Sequence, residues 1–67
     1  MKEYIVIYRD RLGYHERNFR YMKKRAIAFY NKLSKNPNEP VAFVELWIRN
    51  NCDEDDEEML EGYYAEG

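Results

Sequence analysis

Threonine and glutamine are absent from this 67-residue chain, and serine, cysteine and histidine occur once each, as Ser34, Cys52 and His15. That inventory removes most catalytic chemistry. A nucleophile needs a base within hydrogen-bonding reach and usually a third group to orient the base. Ser34 falls at the end of an expected helix and His15 beside an expected turn, while Cys52 adjoins a carboxylate run that disfavours its thiolate. The chain is therefore expected not to be an enzyme. A lone cysteine also excludes an intrachain disulfide and any CxxC metal or redox motif, which points to a reducing, cytoplasmic setting.

Glycine and proline are scarce as well, at three and two copies. Gly13, Gly62 and Gly67 are too scattered for a P-loop or a GxGxxG cradle, so no nucleotide cofactor is expected. The acidic stretch beginning at Asp53 fails the calcium-hand pattern, with Glu58 at the sixth position and Tyr64 at the twelfth in place of glycine and glutamate. No metal is expected. Long apolar runs are missing too, and the opening MKEYIVIYRDR is broken by tyrosine and arginine, unlike a signal peptide or a membrane span.

What the chain does have is aromatic residues, 16% in all with seven tyrosines, and 45% hydrophobic residues overall. These suffice for one small globular domain near the lower size limit for an independent core, where homodimerisation is a ready source of extra stability. Charge is divided along the chain. Residues 1–35 carry ten Lys or Arg against three acids, or +7; residues 36–67 carry one Arg against ten acids, or −9. Such a split implies an acidic segment that folds back on a basic surface or is offered to a basic partner.

Residues 3–9, EYIVIYR, are β-branched and aromatic and read as a strand. RDRLG supplies a turn, and YHERNFR returns as the second arm of a hairpin. From Tyr21 the period lengthens: Met22, Ala26, Phe29 and Leu33, widened by Tyr30, line one side of a helix that Ser34, Lys35 and NPNEP terminate. Residues 41–49, VAFVELWIR, form a third strand. The predicted fold is a two-layer α+β sandwich of ββαβ type, with a three-stranded, mainly antiparallel sheet over residues 1–50. Residues 51–67 are expected as a short acidic helix or tail, capped by Asn50 or Asn51.

One helix cannot cover both faces of that sheet. If Ala42, Val44, Leu46 and Ile48 meet the helix with Ile5 and Ile7, the opposite face carries Tyr4, Val6, Tyr8, Phe43 and Trp47. A bare patch of that kind calls for cover by the C-terminal segment (Met59, Leu60, Tyr63, Tyr64), a second copy, or a partner. Tyr4, Tyr8, Phe43 and Trp47 are thus the expected anchors. Asp53, Glu54, Asp55, Asp56, Glu57 and Glu58 form the expected charged contact with a basic protein surface. The alternative is nucleic-acid binding through Arg20, Lys24, Arg25, Lys32 and Lys35, disfavoured by the acidic C-terminal half.

The series Tyr8, Arg9, Asp10, Gly13, Arg17, Phe19, Ala26, Phe29 and Leu33 resembles the strand, turn, strand and helix opening of small bacteriophage and mobile-element accessory proteins. It is similar also to the hairpin-plus-helix of integrase arm-binding domains. The first resemblance implies a non-enzymatic modulator or inhibitor of a host protein that handles nucleic acid; the second implies DNA reading by the sheet.

Overall fold

The computed structural model describes residues 2–35, 41–51, 53 and 55–65. Its elements are β1 (Lys2–Asp10), β2 (Gly13–Asn18), α1 (Lys23–Lys35), β3 (Phe43–Asn50) and β4 (Glu57–Tyr64). The fold is α+β: one helix lies against an antiparallel four-stranded sheet in the order β2-β1-β3-β4. Among the described residues no helix is long and apolar enough to cross a membrane.

The expected hairpin forms across Arg11 and Leu12. Asp10 pairs with Gly13, whose φ of 124° suits a residue without Cβ, and the Leu12 amide donates to Asp10 Oδ1 at 2.8 Å. His15 Nε2 lies 3.1 Å from the same oxygen. Partial burial acts to raise the Asp10 pKa, but the Leu12 amide and His15 outweigh it and hold the carboxyl below its ordinary value.

At the other end of β2 the ladder runs on through Tyr4 N to Arg20 O and Phe19 N to Tyr4 O. Arg20 then turns the chain with a left-handed φ of 53°, its amide donating to Asn18 Oδ1. The helix buries Ala26, Tyr30 and Leu33, at spacings of four and three that mark one side of a 3.6-residue period.

Two expectations are overturned. The acidic C-terminal segment is not a helix but the fourth strand of a sheet expected to have three: β4 pairs antiparallel with β3 from Arg49↔Glu57 to Phe43↔Tyr64, with an irregularity between Leu46 and Trp47. Asp side chains compete with helical backbone bonds and favour turns, and the Asp55 amide donates to Asp53 Oδ1 at 2.9 Å within the β3–β4 connection. The tyrosines that follow suit a strand, and β3 gains a partner for its free edge.

The second correction concerns β1. Its register sets Tyr4 opposite Ile48, Val6 opposite Leu46 and Tyr8 opposite Val44, so Tyr4, Val6 and Tyr8 face the helix. Ile5 and Ile7 face away, opposite Trp47 and Glu45. The core under α1 joins Tyr4, Val6, Val44, Leu46 and Ile48 to Ala26, Tyr30, Leu33 and Val41. Tyr8 closes its rim, edge-on to Phe29 at 5.6 Å and stacked on His15 at 4.9 Å. Arg17 lies over the Phe19 and Phe29 rings at 5.2 and 5.1 Å, which shields that margin from water. The expected NPNEP helix stop, Cys52 and Glu54 lie outside the described residues.

Leu46 is 2% exposed at the centre of this core, so Leu46→Ala is expected to cost about 2–5 kcal/mol, comparable to the whole stability of a small domain. Urea unfolding followed by circular dichroism measures this. A loss below about 1 kcal/mol would contradict the placement of Leu46.

Candidate functional site

The side of the sheet turned away from α1 has no covering layer among the described residues. Alternation fixes what it displays: Ile5, Ile7 and Arg9 from β1, Phe43, Glu45, Trp47 and Arg49 from β3. Cross-strand neighbours add Tyr14, Glu16 and Asn18 on β2, and Glu57, Met59, Gly62 and Tyr64 on β4. The C-terminal segment thus extends this face rather than covering it.

Its centre is apolar and aromatic. Ile5 is 2% exposed, set between Trp47 and Asn18 in the ladder. Phe43 and Trp47 are half-buried, while Tyr14, Met59 and Tyr64 are exposed. Glu45 organises the rings: Trp47 Nε1 donates to its Oε1 at 3.1 Å, and the Tyr64 hydroxyl donates to its Oε2. The Tyr64 hydroxyl also meets Met59 Sδ at 3.6 Å, and its ring stacks with Phe43 at 6.3 Å.

Gly62 makes this possible. A Cβ there would lie 3.0 Å from the Tyr64 ring and hydroxyl, so the missing side chain leaves the space the tyrosine occupies. One carboxylate therefore holds two aromatic side chains in fixed orientations.

The end of the face nearest the β3–β4 connection is charged. Arg49 lies between Glu3 at 3.7 Å and Glu57 at 3.3 Å. Beyond it the connection carries Asp53, Asp55 and Asp56, all exposed, folded by bonds from Asn50 N to Asp56 O and from Asp56 N to Asp53 O. Among the described residues no group of three or more His, Cys, Asp or Glu is arranged to hold a metal ion.

Of the expected anchors, Phe43 and Trp47 stand on this face; Tyr4 and Tyr8 do not, being packed beneath α1. Of the expected charged contact, Asp53, Asp55 and Asp56 lie together in the connection, Glu57 is engaged by Arg49, and Glu58 turns to the helix side opposite Ile48. The basic set is a separate surface: Lys24, Arg25, Lys32 and Lys35 are exposed on the outer side of α1, and Arg20 in the turn before it.

Sequence reasoning missed Ile5, Ile7, Tyr14, Met59 and Tyr64 as members of the open face. Glu45, the one acid within the apolar run VAFVELWIR, was the available signal for the residue that orders the rings. Comparison of the chain with protein-family models, with curated proteins and with solved structures gives no match in any of the three.

The hydrogen bond to Glu45 raises the Tyr64 pKa above its ordinary value, with partial burial and the Glu45 charge adding to it. A raised phenol contributes stability fully below its unfolded value near 10 and loses it as pH climbs through the folded value. In an absorbance titration of the tyrosinate band, Tyr64→Phe should remove one late-titrating ring. Glu45→Gln and Gly62→Ala should each return that ring toward about pH 10; an unaltered titration in both would refute the Glu45–Tyr64 arrangement.

Proposed function

We propose that this chain is a non-catalytic protein-binding module that docks through the open face of its sheet. The observation that carries the proposal is the aromatic platform itself: Phe43, Trp47, Met59 and Tyr64, clustered about Glu45 with no layer above them among the described residues. Tyr and Trp are enriched among residues that dominate binding energy, and pre-ordered rings lose little entropy on contact. The Asp53, Asp55 and Asp56 cluster at one end favours a partner whose surface combines an apolar centre with a cationic flank. Proteins that handle nucleic acid carry such flanks, and modulation or inhibition of one is the role we assign.

The carboxylates act here by steering and orientation. Among the described residues they are spread over the β3–β4 connection and both sides of β4.

A second reading rests on a different observation. Helix α1 holds Lys23, Lys24, Arg25, Lys32 and Lys35 and no acid. Three of these cations occupy its first turn, where the helix dipole disfavours them. None of the ion pairs among the described residues engages them. A basic face that keeps cations in the first turn, against the helix dipole, suits a polyanion, so nucleic acid is the alternative ligand.

A photo-crosslinking residue at Tyr14 or at Lys24 distinguishes the two in a lysate of the source cell. The protein-binding reading expects a discrete protein adduct from position 14 that survives nuclease and is lost on Asp55→Lys/Asp56→Lys. Adducts confined to position 24, abolished by nuclease or by moderate salt, would overturn it in favour of the second reading.

A further inference from the structure

Four of the eight exposed large apolar side chains among the described residues lie on β4, where Met59, Leu60, Tyr63 and Tyr64 are 42%, 42%, 41% and 56% exposed. β4 is also an edge strand. Lysine and proline, two of the usual protections of such an edge, are absent from the segment EEMLEGYY, which carries glutamates and one irregularity instead. We infer that β4 is a self-association edge, pairing antiparallel with β4 of a second copy about a twofold axis perpendicular to the sheet. The inference goes beyond the docking role and does not rest on it.

The residue pattern favours this partner. Such an axis preserves the faces of the sheet, so each residue must lie opposite one on its own face. In an unbroken strand of eight residues paired end to end, parity forbids this. The irregularity opposite Leu46 and Trp47 removes the obstacle: Glu57, Met59, Gly62 and Tyr64 share the open face, and Glu58, Glu61 and Tyr63 share the helix face. Taken over these seven paired residues, the sequence of faces reads the same in both directions.

With the axis between Leu60 and Glu61, Glu57 meets Tyr64 of the second copy, Glu58 meets Tyr63, and Met59 meets Gly62, beside the tyrosine ring lying across it. No glutamate stands opposite another. Sliding each strand one residue toward its N-terminal half sets Glu58 against Glu61 twice, which is unfavourable.

Charge supplies the second argument. On the helix face Tyr63 lines a recess with Tyr30, Asn31, Ser34, Lys35 and Glu61. The pairing brings Glu58 of the second copy opposite Tyr63, within reach of Lys35 at the mouth of that recess. The acidic start of one strand therefore meets the basic end of the other copy's helix. The contact occurs twice by symmetry, and the two acidic connections lie at opposite ends of the joined sheet.

Sedimentation equilibrium up to millimolar protein tests the inference. The wild-type chain should approach twice the 8.2 kDa monomer mass. Leu60→Lys, at an exposed position that leaves the core intact by circular dichroism, should weaken association by about tenfold or more. Lys35→Glu should also weaken it, and Lys35→Glu/Glu58→Lys should restore it. A wild-type chain that stays monomeric throughout would overturn the inference. So would a dimer indifferent to Leu60→Lys and to the charge exchange, including one that dissociates instead on Phe43→Ser and thus packs face to face.

Discussion

A 13-residue helix is about 20 Å long and 10–12 Å across, enough to roof one side of a small four-stranded sheet and no more. The other features of the molecule follow from that limit. The helix takes the side displaying Tyr4, Val6, Val44, Leu46 and Ile48. The opposite side must stabilise itself with what its own strands provide, and here they provide in-plane order in place of a second layer. Ile5 is sealed among its neighbours, Arg49 is fixed between two glutamates, and Glu45 draws Trp47 and Tyr64 together. A face built this way is ordered and apolar at its centre while remaining open to contact.

The charge layout follows the same division. Cations lie on the outside of the helix and carboxylates collect at the β3–β4 connection, so the near-neutral whole presents two surfaces of opposite sign. This explains why composition says little about partners while geometry says more. The acidic end borders the aromatic platform, and the basic end of the helix borders the edge of β4. Each charged region thus adjoins an apolar one, which under the proposed docking role would orient an approaching protein before apolar contact forms.

Much of the architecture was legible in the residues. The change of period at Tyr21 marked α1, Asp10 and Gly13 marked the hairpin, and the alternation in VAFVELWIR marked β3 and its two faces. The bare side of the sheet also followed from the count of one helix. The face taken by β1 did not, because alternation divides a strand into two sets without saying which set lies inward. Tyr4, Val6 and Tyr8 and the set Ile5 and Ile7 are both apolar, and only the register with β3 decides between them. Aliphatic residues looked like the better core, yet a tyrosine can bury its ring and keep its hydroxyl at the rim. β4 was hidden for another reason: carboxylates are compatible with a helix start, a turn or a tail, and the demand of β3 for an edge partner is a tertiary fact. Met59 and Tyr64 accordingly became part of the site instead of its cover.

The account stands on the second side of the sheet being open to solvent in the free chain. Paramagnetic relaxation by a soluble, uncharged probe, read on side-chain NMR signals, tests this directly. Strong relaxation of the Met59 methyl and of the Phe43 and Tyr64 rings is expected, with Val6, Val44 and Leu46 protected. Equal protection of both sets would contradict the account, because it would mean that a layer of the chain itself lies over Glu45 and its rings.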